Sequence, residues 1–371
     1  MSDAKKVSVI GIGKIGLCNA LAFEKSGYDV IGYDIHQGYV DSLNDKSFNS
    51  SEPQVNEYLA GATNFRATTE IKHVLDHSKL LFIIVGTPKG ATAYDHTYLN
   101  AFMKKLNEHK VDGYHLVVSC SVTPGYFANE LPTLIKDCTN MKLSYNPQFV
   151  QQGSLMDTFL NPDTVIVGSY EQSVAEEVIT LYKDTCQNTP KFEVLSPESV
   201  EITKFAIATF VTLKISFANF IGDVADLTPG ANKFDILRAV GSDSRIGGKC
   251  LMPGWGYGGV CFPRDNGILI DYAKHLNMPT TIPQAAHSYN EYHAEFLAKR
   301  FLHVNGEKDT FVFSDVAFKP NSPIPMIDES HKLKVAKIIA NEGREVMIKD
   351  RADVIELVRA EFGDLFQYQT V

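Results

Sequence analysis

The sequence predicts an α/β protein whose N-terminal half is a doubly wound parallel sheet with helices on both faces. Five short runs in this half are apolar or nearly so, namely "VSVIG" (7–11), "YDVIGYD" (28–34), "LLFIIVG" (80–86), "HLVVS" (115–119) and "DTVIVGS" (163–169). Strands that are buried on both faces have this composition. The segments between them, such as 15–26 and 96–109, have the spacing of helices, so strands and helices alternate.

The turn after the first predicted strand carries a dinucleotide-binding pattern. Gly11, Gly13 and Gly16 follow that strand directly and open the next helix. Glycine here permits the tight turn, the approach of a pyrophosphate and close packing of helix on strand, and backbone N–H groups receive the phosphates. Asp34 ends the second strand, where a carboxylate bonds the adenosine ribose and repels a 2′-phosphate. The pattern predicts a Rossmann-like domain that binds NAD; FAD, a lost cofactor and a ligand-free glycine turn are the alternatives.

The rest of the chain predicts a helical region and a small α/β unit. A long helix is predicted to run to about residue 227. Ser196 can cap its start, and Pro197 suits its first turn. Further helices are predicted at 232–240, 266–276 and 283–304, with a glycine-rich loop between the first two. A strand (309–318), a helix (328–342), a strand (345–350), and a last helix and strand follow. We therefore predict three domains, residues 1–195, 196–304 and 305–371.

Composition and charge limit the classes of function. The chain has 371 residues, of which 44% are apolar, enough for two or three hydrophobic cores. A formal charge of -9 argues against binding to nucleic acid. The six cysteines are scattered without a CxxC pair, which indicates reduced thiols in a cytosolic protein and no metal site.

We expect no targeting peptide and no membrane span. The N-terminus, "MSDAKKVSVIG", lacks the apolar region and cleavage site of a signal peptide. The apolar stretch 205–222 is preceded by Lys204 and interrupted by Lys214. We interpret it as a helix that is buried at a domain or subunit interface.

A second candidate site lies in "PGWGYGGVCFPRD" (253–265), where four glycines precede Cys261. Glycines let the backbone lie close to a ligand and leave the thiol exposed to it. Arg264 follows, and a neighbouring cation favours the thiolate. A buried cysteine in a loop is the alternative interpretation. Beside NAD, a thiolate suits aldehyde oxidation, because it adds to a carbonyl and hydride loss then leaves a thioester.

The chain resembles the nucleotide-sugar 6-dehydrogenase family, which includes the UDP-glucose and GDP-mannose dehydrogenases. The motifs that carry the resemblance are, in order, "GIGKIGL" (11–17), "VGTP" (85–88), "NPQF" (146–149), "VEITKFAIATFVTLKISFANF" (200–220), "GSDSRIGG" (241–248), "PGWGYGGVCFPRD" (253–265) and "AFKPN" (317–321). The form of the arginine and cysteine motifs is most similar to the UDP-glucose branch.

The resemblance implies two NAD-dependent oxidations at C6 of a nucleotide sugar, UDP-glucose to UDP-glucuronate. Cys261 would hold the thiohemiacetal and then the thioester. Lys204 would stabilise oxyanions or help to move the alcohol proton, Asp265 would support the site, and Ser121 would position water. The implied fold is a Rossmann-like N-terminal domain, a long central helix with a helical dimerisation region, and a shortened Rossmann-like C-terminal domain that binds the nucleotide. The implied partners are the nucleotide sugar and a second copy of the chain.

The resemblance also assigns residues that bind the ligands. The implied cofactor contacts are Gly11, Ile12, Gly13, Lys14, Ile15, Asp34, Val85, Thr87, Ser121 and Arg264. The implied substrate contacts are Phe149, Gln152, Lys204, Arg245, Tyr257 and Gly258, with Arg245 reaching the substrate of a neighbouring subunit. Without the resemblance, Lys204 is a lysine whose stem lies along an apolar helix. Arg245 is then a surface residue, and Ser121 a polar residue at the end of a strand.

The sequence departs from the family pattern where the family carries its chemistry. In "NPQFVQQGSL" (146–155), Gln148 and Gln152 each stand in place of a glutamate, and Gln151 in place of an arginine. Gln148 occupies the position of the base for thioester hydrolysis. A glutamine keeps the shape and some hydrogen bonds of a glutamate, but it cannot accept a proton near pH 7.

Two further departures lie outside that segment. Ala208 stands in place of an asparagine one helical turn after Lys204, and Asp328 in place of an arginine. The departures leave two alternatives to the full reaction. One is a catalytically impaired or partial-reaction homologue that binds NAD and nucleotide sugar. The other is the same chemistry on another nucleotide hexose.

Overall fold

The computed structural model describes residues 5–88, 90, 92–306, 310–319 and 322–371. The chain divides into two compact units, Met1–Lys204 and Phe205–Val371. Each unit has hydrophobic clusters of its own. The division into three domains stays a prediction.

The first unit alternates strands with helices. Its strands are β1 (Lys6–Ile10), β2 (Asp29–Tyr33), β3 (Phe65–Thr68), β4 (Leu80–Ile83), β5 (His115–Val118), β6 (Lys142–Tyr145), β7 (Thr164–Ser169) and β8 (Lys191–Leu195). Its helices are α1 (Lys14–Lys25), α2 (Gln37–Asn44), α3 (Val55–Gly61), α4 (Ile71–His77), α5 (Thr97–Glu108), α6 (Leu131–Leu134), α7 (Leu155–Leu160), α8 (Gln172–Thr185) and the start of α9 (Pro197–Asp226).

The strands form one sheet in the order β3-β2-β1-β4-β5-β6-β7-β8. All pairs from β3 to β6 are parallel, so the carboxyl ends of these strands lie along one edge. The strand order reverses direction between β1 and β4, and ligands bind outside such a switch point.

The sheet is mixed, whereas the sequence predicted a parallel one. β6 and β7 pair antiparallel, Ser144 with Ser169 and Tyr145 with Gly168. The connection between them contains only the six-residue helix α7. Parallel neighbours are usually joined by a crossover with a full helix, which this connection lacks.

The apolar runs of the sequence form the strands that are buried on both faces. In β1, Val7 and Val9 enter one hydrophobic cluster and Ile10 enters the other. The edge strands β3 ("FRAT") and β8 ("KFEVL") were not predicted. They carry charged residues and expose part of their length, as strands at a sheet edge can.

Helix α9 confirms the predicted long helix and spans 30 residues. By length and composition it could cross a membrane, with a mean hydropathy of 1.6 over 18 residues, of which 44% are buried within the chain. Core helices of soluble proteins can have the same length and hydropathy. The other large apolar residues of α9 are half-buried or exposed in the single chain.

The second unit contains the rest of α9 and a small parallel sheet. Its other elements are α10 (Lys233–Gly241), α11 (Cys261–His275), α12 (Thr281–Val304), β9 (Thr310–Ser314), α13 (His331–Asn341), β10 (Glu345–Asp350), α14 (Ala352–Phe362) and β11 (Gln367–Thr370). The three described strands lie in the order β11-β10-β9. The predicted succession of strand, helix, strand, helix and strand is confirmed.

Two helix starts differ from the prediction. Helix α11 begins at Cys261 and not at residue 266, so the cysteine lies on a helix and not in a loop. Pro263 fits this start, because proline is tolerated in the first turn of a helix. Helix α13 begins at His331 and not at 328, because Ser330 caps it by accepting a hydrogen bond from the N–H of Leu333. Pro320 and Asn321 of the motif "AFKPN" lie outside the described residues.

Candidate active site

The glycine turn after β1 has the geometry of a phosphate cradle. Gly11 has φ +84°, and a Cβ there would lie 2.6 Å from the carbonyl oxygen of Ile84. A Cβ on Gly16 would lie 2.0 Å from the carbonyl oxygen of Gly11, so only glycine fits. A Cβ on Gly13 would meet nothing within 4 Å. Gly11 and Gly16 therefore build the turn, and Gly13 leaves open space above it.

The start of α1 fits a dinucleotide pyrophosphate. Gly13 is the N-cap residue, and no described side chain caps the helix. Its first turn carries no acidic residue, and Lys14 is exposed there. The free N–H groups and the helix dipole favour an anion at this position. Ile12 is fully buried, its carbonyl accepts a 2.7 Å bond from Tyr39, and Ile15 packs against the core, which holds the turn in place.

Asp34 lies at the carboxyl end of β2, next to the glycine turn. Its backbone N–H donates to the carbonyl of Thr68, and its Oδ1 accepts a 3.1 Å bond from the N–H of His36. The side chain is half-buried and keeps acceptor capacity for a ribose hydroxyl. The turn and this carboxylate together fit NAD.

Val85, Thr87 and Ser121 follow β4 and β5 at the same edge of the sheet. All three are partly buried. The loop that carries Ser121 is held from two sides, since Thr123 accepts a 3.0 Å bond from the N–H of Tyr94 and donates its own N–H to His96 Nε2 at 3.2 Å. The structure thus brings these residues to the switch-point edge, and their contacts with ligands stay predictions.

Glu201 of α9 holds the same loop from the other end. Its carboxylate accepts bonds from the N–H of Gly125 at 2.6 Å and of Phe127 at 2.9 Å. The side chain is fully buried, and burial raises the pKa of this carboxyl group, while the two backbone N–H groups oppose the shift. Sequence reasoning missed Glu201; its position three residues before Lys204 on the same helix was the available signal.

Lys204 lies within the first unit beside a tyrosine. It is buried, its Nζ is 3.4 Å from the hydroxyl of Tyr94, and the same atom lies 5.4 Å from the centre of the Tyr94 ring. The ammonium therefore reaches the loop after β4 and does not extend along the helix surface. Tyr94 was not predicted as a site residue, and the sequence holds no motif that would have identified it.

Gln148 belongs to a buried chain of hydrogen bonds at the end of β6. Its Nε2 donates to the Tyr182 hydroxyl at 2.9 Å, which donates to Oδ1 of Asn146 at 2.7 Å. Asn146 in turn donates to the carbonyl of Ile166 at 2.9 Å. Burial raises the pKa of Tyr182. The amide of Gln148 thus acts as a donor to a neutral phenol, a task that an ionised carboxylate cannot perform.

The segment after Gln148 is anchored by a carboxylate from elsewhere in the unit. Glu52 is 3% exposed and accepts the N–H of Gly153 at 3.0 Å and of Leu155 at 3.3 Å. It therefore stabilises the start of α7 and fixes the loop that contains Gln152, which is half-buried. Phe149 is 40% exposed.

In the second unit, Cys261 is the first residue of α11 and is exposed. Nη2 of Arg264 lies 3.9 Å from its sulfur, and Nε of Arg264 lies 3.7 Å from Oδ1 of Asp265. Asp265 is buried. The structure thus brings Cys261, Arg264 and Asp265 together in one helical turn.

The loop before Cys261 is tightly packed. Tyr257 is buried, and burial raises its pKa to about 12. A Cβ on Gly258 would lie 2.2 Å from the carbonyl oxygen of Glu329, and one on Gly259 would lie 2.8 Å from the ring of Phe318. Tyr257 and Gly258 thus precede the thiol in a fixed segment.

Arg245 lies apart from these residues in an exposed turn. Its guanidinium bonds Asp243 through Nε at 3.0 Å and Nη2 at 2.7 Å, and its side chain is 86% exposed. Its reach to a partner subunit stays a prediction.

Ala208 is buried beside a polar link between α9 and α11. The hydroxyl of Thr209 donates to Oδ1 of Asn266 at 2.8 Å, and Nδ2 of Asn266 donates to Thr212 at 2.9 Å. This link fixes the first turns of α11, which carry Cys261. Asn266 was not predicted, because one asparagine in a helix gives no sequence signal.

Two family models match the chain. Residues 5–186 match the NAD binding domain of the UDP-glucose/GDP-mannose dehydrogenase family, and residues 198–292 match its central domain. The chain is similar to UDP-glucose 6-dehydrogenase of Rhizobium meliloti, with 28% identity over 85% of this chain and 75% of the relative. It is also similar to UDP-glucose 6-dehydrogenase TuaD of Bacillus subtilis, with 28% identity over 99% of this chain and 80% of the relative.

Solved structures give the same similarity. A UDP-glucose dehydrogenase from Pyrobaculum islandicum superposes with a TM-score of 0.87 at 27% identity, over 100% of this chain and 87% of that one. A UDP-D-ManNAc dehydrogenase from Pyrococcus horikoshii has a TM-score of 0.77 at 23% identity, over 93% and 83% of the two chains, and shows a shared fold.

Proposed function

Because the chain belongs to the UDP-glucose/GDP-mannose dehydrogenase family, a family of NAD-dependent oxidoreductases, we propose that it oxidises C6 of UDP-glucose through a covalent intermediate on Cys261. The observation that carries this proposal is the exposed thiol at the first residue of α11, with Arg264 at 3.9 Å. A helix N-terminus and a guanidinium both favour negative charge on the sulfur. The product is UDP-glucuronate.

The proposed chemistry proceeds in three steps. The C6 alcohol loses a hydride and its hydroxyl proton and becomes an aldehyde. The Cys261 thiolate adds to the aldehyde, and loss of a second hydride from this adduct forms a thioester. Water then cleaves the thioester, which releases the acid and the thiol. NAD, when bound at the glycine turn, supplies the hydride acceptor for both oxidations.

Residues of the first unit have matching roles in this proposal. The buried ammonium of Lys204 stabilises the alkoxide and takes part in moving the alcohol proton, and the Tyr94 hydroxyl at 3.4 Å orients it. Ser121 positions water, on a loop that is fixed by Thr123 and Glu201. Asp265 holds Arg264 beside the thiol.

Thioester hydrolysis is the slowest step in this proposal. The amide of Gln148 is bonded to Tyr182 and has no basic lone pair for water. Loss of a general base reduces a rate by about 10²- to 10⁴-fold. This observation also favours the second candidate function, a homologue that binds NAD and nucleotide sugar, forms the thioester and turns over poorly.

We further propose that the protein is a cytoplasmic homodimer whose interface is α9. Several apolar side chains of this helix are exposed in the single chain, namely Ile202, Ile207, Phe210, Phe217, Phe220 and Val224, each by 40% or more. Exposed apolar surface of this extent marks an interaction site. In the proposed domain division, residues 1–195 bind NAD, 196–304 dimerise and carry Cys261, and 305–371 bind the nucleotide.

The test is the number of NADH molecules formed per enzyme with excess NAD and UDP-glucose. Many turnovers, at two NADH per sugar, support the full dehydrogenase. A burst of about one active-site equivalent supports the second candidate. Absence of NADH with UDP-glucose, together with turnover of a UDP-N-acetylhexosamine or of GDP-mannose, overturns the substrate assignment and keeps the chemistry.

A further inference from the structure

A histidine and an aspartate form a buried pair on two helices of the second unit. Nδ1 of His293 on α12 lies 2.7 Å from Oδ2 of Asp223 on α9, and the hydroxyl of Tyr289 donates to the same oxygen at 2.7 Å. Both side chains are buried, His293 with 2% and Asp223 with 5% of its surface exposed. Burial of an ionisable pair costs desolvation free energy, which additional hydrogen bonds from the two side chains can offset.

The second ring nitrogen of His293 reaches the glycine loop, by which we mean residues 253–260. Nε2 lies 2.7 Å from the carbonyl oxygen of Gly254. A carbonyl oxygen only accepts, so Nε2 carries a proton and donates it. The facing Asp223 oxygen also accepts from Tyr289, so the ring donates to a carboxylate on one side and to the loop backbone on the other. Charge-assisted bonds of this kind are short and about twice as strong as neutral ones.

Two asparagines hold the same loop at neighbouring positions. Oδ1 of Asn219 accepts a hydrogen bond from the N–H of Gly254 at 2.8 Å. Gly254 is therefore held at both its N–H and its carbonyl. Asn290 accepts the N–H of Tyr257 at 2.9 Å and donates to the carbonyl of Tyr257 at 3.1 Å. Side chains of α9 and α12 thus fix the backbone of the loop before it reaches Cys261.

A second histidine completes the packing without adding charge. The ring of His331 stacks on His293 at 5.3 Å, and its pKa is lowered to about 4, first by burial and also by the charge of His293. A Cβ on Gly256 would lie 2.3 Å from His331 and 2.3 Å from Asn290. Only a glycine at position 256 therefore lets the loop pack against these side chains.

The composition of the loop explains why such a hold is needed. Gly254, Gly256, Gly258 and Gly259 lie within six residues. Glycine loses more conformational freedom on folding than any other residue, so an unrestrained loop of this kind samples many positions. Directional bonds from fixed helices restrict it where few side chains are present to pack.

We propose that Asp223 and His293 are positioning residues, a charged clamp that fixes the glycine loop and thereby the place of the Cys261 thiol. The inference rests on the proposed function in naming Cys261 as the reacting group. The clamp itself is a property of the folded chain and can be tested without substrate.

The test is hydrogen exchange of the full-length protein, read on peptides that cover residues 253–260. His293→Leu removes both bonds of the ring, and we expect the loop amides to exchange about 10- to 100-fold faster, because hydrogen bonds to charged groups contribute about 1.5–3 kcal/mol. Asp223→Asn keeps the shape and is the second variant if His293→Leu fails to fold; we expect a smaller increase at the same peptides. His287→Gln, an exposed histidine on the same helix, is the matched control.

Two results overturn the proposal: unchanged exchange of the loop in the folded variants, or faster exchange spread evenly over the second unit, which makes the pair a general stabiliser. A kinetic readout separates this inference from the proposed function. We expect Asp223→Asn to lower kcat with UDP-glucose about 10-fold and to leave the KM for NAD unchanged. If the wild type forms no NADH, the proposed function fails, and the exchange experiment still decides the clamp.

Discussion

Replacement of Gln148 by glutamate tests the proposal that an amide stands here in place of a general base. The Tyr182 hydroxyl accepts one bond, from Gln148 at 2.9 Å, and donates one, to Asn146 at 2.7 Å. An ionised carboxylate cannot donate. In the variant, the Tyr182 oxygen faces a carboxylate oxygen that has no proton to donate. Alternatively, the Tyr182 hydroxyl turns to donate to the carboxylate, and Oδ1 of Asn146 then loses the hydrogen bond from Tyr182.

The expected loss of stability follows from burial. Tyr182 and Asn146 are 3% and 2% exposed, and a buried group without its partner costs about 1–3 kcal/mol. We therefore expect Gln148→Glu to lower the free energy of unfolding by about 1–3 kcal/mol at pH 8. A protonated carboxyl group can donate to Tyr182, so the deficit shrinks as the pH falls through the pKa of the new group, about 4.3 when unperturbed.

The same change is expected to raise turnover. If hydrolysis of the thioester limits the wild type, a base at this position increases steady-state NADH formation by about 10²- to 10⁴-fold. The assays are urea unfolding between pH 4 and pH 8 and NADH formation with UDP-glucose. Gln187→Glu, at an exposed position of the same unit, controls for the added charge. A variant that matches this control in both assays would show that the Gln148 amide neither stabilises Tyr182 nor limits hydrolysis.

Three further predictions follow from the described contacts. Gly13→Ala is expected to unfold like the wild type, because nothing lies within 4 Å of the added Cβ, yet to bind NAD at least about 10-fold more weakly by calorimetry, whereas Gly16→Ala loses stability because of the 2.0 Å clash. Burial raises the pKa of Glu201 above its ordinary value of 4.5. The stability that this shift contributes is present at low pH and is lost as the pH rises from 4.5 through the pKa of the folded state. Glu201→Gln should remove this pH dependence from the free energy of unfolding measured between pH 4 and 7. Phe210→Glu, at a side chain that is 62% exposed, should convert a dimer to a monomer in light scattering, and an unchanged mass would contradict the proposed interface.

The family, the α/β fold class and the NAD cofactor were predictable from the sequence, and all three are confirmed. The apolar runs of the inner strands and the glycine turn are local signals that no tertiary contact overrides. Strand β8 and the antiparallel pairing of β6 with β7 were not predictable, because an edge strand needs no continuous apolar run and pairing direction depends on the whole connection.

The site was predictable where it depends on one motif and not where it depends on contacts distant in sequence. Cys261 and Arg264 belong to one motif and are three residues apart. Their proximity at 3.9 Å follows from the start of α11 at Cys261, although this helix was predicted to begin at 266. Glu201 meets Gly125, and His293 meets Asp223, across more than 65 residues of sequence. Such contacts exist only in the folded chain, and a single polar residue in a helix gives no sequence signal that predicts them.

In the proposed mechanism Cys261 carries the sugar during the oxidation. The most direct measurement is the intact mass of the enzyme after mixing with excess NAD and UDP-glucose, followed by peptide mapping. We predict a fraction of wild-type enzyme heavier by one UDP-glucuronyl group on Cys261, and none in Cys261→Ser. NADH formation at the wild-type rate by Cys261→Ser, or an adduct at another residue, would contradict covalent catalysis by Cys261.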